Sequence, residues 1–488
     1  MPINSFLYPG ASGPPSPYEV ANSLRFENGS SDNLTRSQSS GNRRTFTFSA
    51  WLKVANPAYS SARIIMENYA DSGNYFIFYI NNNPNEFSFF DYSSSATQLQ
   101  FNASQEIRDP SAWYHVVVAI DTTQSTESNR VKFYINGSQV TNFDTANYPS
   151  QNLQTNVNNG NNHMLGRWGS QNGYGFDGYM AEVVFIDGQA LDPTSFGEFD
   201  SDSPTIWKPI DVSGFTFGTN GYYLDFENAS SLGADVSGQG NNFTVNNLTS
   251  IDQSTDTCTN NFCTWNPLDN YIGGATFSEG NVKVQTATNK RTGPSTTIGM
   301  TSGKYYCEIK CTAQSAHSSG SPQDAMMIGI RSTDDTATTE ELGHHQHDWA
   351  MYANGDGTNG QYRNNDGLTN YGVTFTTGDI IGVYVDLDNN KLYFAKNGTI
   401  MQSGTGISIT DPASTPRGAY FFSAANWSST TNATFEANFG GTQSFTVSSG
   451  NTDANGYGNF EYDPSSGTFD GASKNFYALN TKNLAEFG

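Results

Sequence analysis

The sequence predicts an all-β protein: two consecutive antiparallel jelly-roll β-sandwiches with an extended N-terminal arm. Three observations carry this. Hydrophobic residues make up 35% of the 488 residues and charged residues 14%, below the about 45–50% and about 25% of ordinary globular chains. Aromatics fill the gap, with 33 Phe, 26 Tyr and 7 Trp beside 48 Gly, a composition of short strands joined by polar turns. Apolar residues recur at period two, and Asn-Gly and Asp-Gly dipeptides suited to tight hairpins close several of the runs. A disordered chain would be poor in aromatics and rich in charge.

Residues 1–19 contain Pro2, Pro9, Pro14, Pro15 and Pro17. This favours extended structure and excludes a helix or central strand. An arm is expected, docked on a neighbouring subunit or another protein of an assembly.

Residues 20–200 read as strands throughout. Thr45–Val54 (TFTFSAWLKV) alternates apolar and polar, and Asn74–Ile80 (NYFIFYI) and Glu86–Phe90 (EFSFF) follow. Trp113–Ile120 (WYHVVVAI) is a fuller apolar run, as a strand buried on both faces requires. Val131–Gly137 (VKFYING) ends in a hairpin dipeptide, and Phe176–Ile186 (FDGYMAEVVFI) is closed by Asp187-Gly188. The order FTFSAW, WYHVVVAID, VKFYING, DGYMAEVVFIDGQAL resembles the laminin-G-like, concanavalin-A-like jelly rolls, which implies their sandwich.

Residues 201–257 read as a connector holding a partial repeat: LRFENGSS at Leu24–Ser31 returns as LDFENASS at Leu224–Ser231. Residues 258–445 form the second domain. GKYYCEIK at Gly303–Lys310 and GDIIGVYVDLDNNKLYFAKNG at Gly378–Gly398 resemble the SPRY (B30.2-like) sandwich. Residues 446–488 form a C-terminal segment whose last dozen residues suit a short amphipathic helix, with Tyr477, Leu484 and Phe487 apolar.

The formal charge of −23 excludes nucleic acid as a partner, because phosphate binding needs clustered Lys and Arg. It also opposes an anionic membrane surface. No apolar run approaches the ~20 residues of a membrane span, and no basic region followed by an apolar stretch marks a secretory signal. Cys258, Cys263, Cys307 and Cys311 form no disulfide framework. Cys307 and Cys311 are about 13 Å apart along a strand, too far for a bridge.

Catalysis is not expected. Retaining glycosidases hold two carboxyl groups about 5–5.5 Å apart, which on a strand needs alternating acids. Asp386 and Asp388 share that spacing, yet they stop a strand before Asn389-Asn390 and read as turn acceptors. Glu182 is a lone carboxylate in AEVVFI. His344, His345 and His347 beside Asp348 read as a polar loop, not a metal site. No cofactor is expected. Ca²⁺ is the exception, since some laminin-G-like domains hold it with loop Asp and Asn; no ligands can be named.

Aromatics in polar, Gly-rich stretches are the candidate ligand contacts, because flat rings stack on sugar faces. These are Trp168 and Tyr174 in GRWGSQNGYG, Trp349, Tyr352, Tyr362 and Tyr371 in one long polar stretch, and Trp427 in ANWSS. The opposing reading is that such rings plug the sandwich ends or build subunit interfaces. The arm, the two sandwiches and the closing KNLAEFG together resemble structural proteins of marine tailed phages. That resemblance implies a virion appendage, a tail fibre or decoration-type protein, made without a signal peptide and acting outside the cell. It is expected to form a homo-oligomer, a trimer by analogy with fibres, and to recognise a host-surface glycan or protein. The alternatives are a soluble carbohydrate-binding module and, last, a polysaccharide-degrading enzyme.

Overall fold

The computed structural model describes residues 18–57, 60–169, 173–270, 274–287, 293–313, 325–333, 341–353, 360–427 and 432–488. All but the last two residues of the Pro-rich arm lie outside these. The chain divides into two compact units that part between Thr259 and Asn260.

In the first unit two eight-stranded sheets face each other. One is centred on Trp113–Asp121, Thr45–Val54 and Gly178–Asp187; the other runs through Ala96–Glu106, Glu86–Ser93, Asn74–Ile80 and Arg63–Asp71. All these neighbours pair antiparallel. Side chains alternate between faces at every residue. Phe46, Phe48, Phe76, Phe78, Phe87, Phe89, Phe101 and Phe133 therefore meet in one core between the sheets. Each such ring contributes about 1.5–3 kcal/mol by leaving water. The Asn136-Gly137 hairpin has φ of 46° and 75°, as a type I′ turn requires.

Residues 201–257 are no free connector. Tyr222–Leu224 pairs with Val183–Phe185, Thr244–Asn246 with Asn33–Thr35, and Gln253–Ser254 with Ser23–Leu24. The two copies of the repeat lie along the same edge of Gly178–Asp187, Leu24–Phe26 against its first half and Tyr222–Leu224 against its second. Leu24, Phe26, Leu224 and Phe226 all enter the core. Neither short strand alone spans that long strand; one pairs with residues 178–180 and the other with residues 183–185.

Residues 191–226 close the outer face of the first sheet. Phe196, Val212, Phe217 and Tyr223 pack on Val117, Tyr134, Val184 and Ile186. A β-bulge between Ala181 and Val184 places Glu182 in the left-handed region at φ 49°. The extra residue turns its carboxyl outward, where alternation alone would send it to the core.

The second unit also has two sheets, of seven and nine strands. Lys304–Ala313 and Ile380–Asp386 pair through seven consecutive residues, with Cys307, Ile309 and Cys311 inward and Tyr306 and Tyr384 outward. None of the four cysteines forms a disulfide. The C-terminal segment wraps the nine-stranded sheet, laying Phe460, Phe469 and Phe476 on Tyr306, Tyr384 and Tyr393. It ends in a helix, Thr481–Phe487, capped by the Asn480 side chain.

Candidate functional site

The outer face of the first unit's second sheet is built differently from its sealed partner. Strand pairing puts Tyr75, Ile77 and Tyr79 opposite Tyr92, Phe90 and Ser88, and Tyr69 and Glu67 opposite Tyr75 and Ile77. These residues point away from the Phe core. Ile77 is buried beneath the rings around it, whereas Tyr69, Tyr75, Tyr79, Phe90 and Tyr92 remain half-exposed. Tyr75 sits at the centre, with ring centroids 6.2 Å from Tyr69, 5.3 Å from Tyr92 and 5.6 Å from Phe90. Tyr79 continues the strip 6.0 Å from Phe90.

Trp168 and Tyr174 join this strip. The Trp168 ring lies 6.0 Å from Tyr75 and 5.6 Å from Tyr174. Backbone bonds hold their loop: Trp168 N–H donates to the Tyr174 carbonyl at 3.1 Å, and Phe176 N–H to Gly166 at 2.7 Å. Gly175 N–H donates to Asn28 Oδ1 at 2.6 Å, and Gly169 N–H to Glu67 Oε2 at 2.8 Å. Burial raises the Glu67 carboxyl from 4.5 to about 7, and the Gly169 bond only partly opposes this.

The structure thus brings together two of the sequence candidates and adds five rings not named among them. Their signal was present: NYFIFYI and FSFFDY carry aromatic or bulky residues on both faces of a strand, which one core cannot absorb.

The second-unit candidates are placed otherwise. Trp349 is 4% exposed and stands edge-on to Tyr420 at 5.7 Å. Tyr352 is buried among Met327, Leu342, Ala350 and Ala425. Tyr371 donates its hydroxyl to the Thr405 carbonyl at 2.7 Å and packs on Phe394 and Tyr362. Trp349, Tyr352 and Tyr371 offer no open face, and Tyr362 is half-buried against the core. The reason is that Asp348–Tyr352 is an inner strand, flanked by Ala325–Arg331 and Gln361–Asn364, not part of a loop. Trp427 ends the strand Phe421–Trp427; its side chain lies outside the described residues.

The acids weighed for chemistry are engaged in structural bonds. Asp386 accepts from Asn389 and from Lys474 Nζ at 2.8 Å. Asp388 accepts from Gly303 N–H. His344 Nδ1 lies 3.5 Å from Asp366. Among the described residues no group of three or more His, Cys, Asp or Glu is placed to hold a metal.

Under the sealed face, Ser49 Oγ lies 2.9 Å from His115 Nε2, the spacing of a nucleophile and its base. Trp207 decides against that role. Its Nε1–H, which can only donate, points at His115 Nδ1 from 3.0 Å. Nδ1 is therefore the acceptor, Nε2 carries the proton, and Ser49 receives a hydrogen bond instead of giving up its own. Burial holds the imidazole neutral, with its pKa lowered to about 3. The cavity beside it, bounded by Trp51, Glu182 and Val184, has about 10 Å³, the lower limit for one water. Glu182 accepts from Tyr18 at 2.6 Å and Tyr223 at 2.7 Å.

Nor do Glu67 and Glu86 form a hydrolytic pair. Glu67 lies opposite Ile77, and Glu86 sits beside Asn81 two strands over. Strand geometry separates them by about 16 Å, beyond the about 6.5–9.5 Å of inverting glycosidases.

Comparison with known proteins follows this division. Residues 28–195 match the concanavalin A-like lectin/glucanases superfamily, and residues 282–442 the SPRY domain. A stretch of 175 residues is 29% identical to the ATP-dependent RNA helicase DDX1 of Xenopus laevis, covering 36% of this chain and 20% of the helicase. The chain thus spans about a fifth of that relative's length. Among solved structures, the SPRY domain of human HERC1 is 14% identical, over 36% of this chain and 96% of that one, with a TM-score of 0.28. A candidate carbohydrate-binding protein of Bacteroides ovatus is 16% identical, over 47% and 59%, with a TM-score of 0.31. By the two family matches and the strand order, this chain carries a concanavalin A-like lectin-type domain followed by a SPRY domain.

Proposed function

We propose that this chain is a non-catalytic recognition protein that binds glycan through the outer face of the first unit's second sheet, and that it serves as a surface component of a bacteriophage particle. One observation carries the binding role. Tyr69, Tyr75, Tyr79, Phe90 and Tyr92, with Trp168 at one end, form a half-exposed aromatic strip on a rigid sheet. Rings of this kind stack on the C–H faces of sugars. A sheet holds them in place without the entropy cost that a flexible loop would pay on binding.

The particle role has separate support: the order of the two sandwiches and their motifs resembles phage structural proteins, and the strongly acidic surface suits high local concentration. A soluble carbohydrate-binding module is the alternative, and the same strip would serve it.

A glycan array with the full chain tests the binding role. Binding that Tyr75→Ala abolishes and Trp168→Ala weakens about tenfold, with the folded signal intact, supports it. Binding unaffected by both variants, or release of reducing ends from a bound polysaccharide, would refute it. Mass spectrometry of gradient-purified particles tests the particle role.

A further inference from the structure

We propose that the aromatic strip takes an uncharged, hydroxyl-rich polysaccharide and rejects anionic ones, and that Glu67 sets this selection. The inference rests on the glycan-binding reading above and names the ligand's class.

The first argument is charge. By their cross-strand pairings, the strand residues around the rings are amides and hydroxyls, with Ile77, Met164 and Glu67. None is Lys or Arg. Glu67 lies at the Trp168 end of the strip, and Glu86 lies beyond its Tyr79 end. A sulfate or uronate lying along the rings meets carboxylates and no cation from these strands. A neutral sugar meets rings flanked by amides and hydroxyls, which pair with sugar hydroxyls in either sense.

The second argument is hydrogen-bond bookkeeping at that end. Glu67 is 1% exposed. Its Oε2 accepts from Gly169, but among the described residues its Oε1 has no partner, and neither does the buried Nε1–H of Trp168. An unmade bond on a buried polar group is costly, so one acceptor and one donor are held in deficit beside the central rings. A hydroxyl both gives and takes a hydrogen bond and can satisfy either; a sulfate oxygen only accepts and cannot serve Glu67. The Gly169 bond also ties the Trp168 loop to the sheet. Glu67 is thus a positioning residue, and its charge faces whatever lies on the strip.

The test is affinity electrophoresis of the full chain at pH 8.5, above the about 7 at which Glu67 ionises. The gels contain hydroxyethylcellulose, galactomannan, alginate or dextran sulfate, and light scattering reports the oligomeric state. The expected result is retardation by at least one neutral polymer and at least tenfold weaker retardation by the anionic ones, with Tyr75→Ala abolishing both. Glu67→Gln keeps the shape and the Gly169 contact, so it should narrow the neutral-to-anionic ratio several-fold while neutral binding persists. Preference for an anionic polymer, or an unchanged ratio in Glu67→Gln, overturns the inference and leaves the glycan reading standing. Retardation by none of the four overturns both. So does an oligomer that Tyr75→Ala dissolves, since a second copy would then occupy the face. Should Glu67→Gln fail to fold, Glu86→Gln tests the same charge argument from the other end, and an unchanged ratio there overturns it.

Discussion

Replacing Glu182 by Gln should change how the stability of the first unit depends on pH. The carboxyl is 6% exposed. Its pKa is lifted from 4.5 to about 7, first by burial, while the Tyr18 and Tyr223 hydroxyls pull the other way and Asp225 and Glu227 add repulsion. In the unfolded chain it returns to about 4.5. The folded state therefore holds its proton more tightly than the unfolded one. That contribution to stability is complete below about pH 4.5 and is lost as the pH rises through about 7. The move from 4.5 to about 7 corresponds to about 3 kcal/mol. Gln keeps the carbonyl that accepts from both tyrosines and has no proton to lose. Calorimetry of the full chain and of Glu182→Gln from pH 4 to 9 should show the wild type losing about 3 kcal/mol relative to the variant across that window. For a unit of this size that is about 6–12 °C in Tm. Other raised carboxyls, Glu67 and Glu308 among them, cancel in the difference. Parallel curves for the two proteins would show that Glu182 ionises normally in the folded state, and the account of a desolvated, tyrosine-bonded acid would fail.

Other perturbations separate structural from functional rings. Trp349→Ala empties a buried site and should cost about 3–5 kcal/mol, read as a lower Tm without selective loss of a ligand. Tyr371→Phe removes one hydroxyl bond to Thr405 and should cost about 1 kcal/mol, read in denaturant titrations. Trp168→Ala should leave Tm within a few degrees and weaken glycan binding about tenfold, as a loss near 1.4 kcal/mol implies, read by isothermal titration. Glu308→Ala strands the Glu461 and Tyr462 amides, the Asn438 side chain and the Tyr306 hydroxyl, all of which it accepts from. It should cost about 3 kcal/mol or more and expose residues 446–476 to limited proteolysis.

The strands and their hairpins were legible because they rest on local rules. Alternation in TFTFSAWLKV and the Asn136-Gly137 turn each depend on a few neighbouring residues. The seal over the first sheet was not legible. Trp207 and Phe217 sit in Gly- and Pro-punctuated stretches that read as connector, and only tertiary packing gives them a surface to cover. The same limit misplaced the second-unit rings. Trp349 and Tyr352 lie in a polar-looking sequence, and nothing local shows that DWAMY is an inner strand. Glu182 was visible only as a lone acid, because its outward turn depends on a one-residue bulge that alternation cannot announce. Trp168 and Tyr174 were found because a Gly-rich loop with two rings has little else to do. Their partners Tyr75 and Phe90 were hidden by lying in strands already explained as core.

Glu182 and Glu308 share a logic that bears on where function can lie. Each is a buried carboxyl on the outer face of a sheet, and each accepts from at least one tyrosine hydroxyl. Each also sits under a segment that seals that face, residues 191–226 in the first unit and 446–488 in the second. An acid placed there is costly without its donors, so the covering segment must stay docked for the acid to be tolerated, and the pair stabilise each other. Faces closed in this way are committed to structure. The second sheet of the first unit has no such covering among the described residues, and its outer rings stay half-exposed. Among the described residues Glu67, the buried acid beside the rings, is bonded on one oxygen. Where Glu308 has donors on both oxygens built into the fold, Glu67 has one on a single oxygen, and a ligand hydroxyl would supply the other.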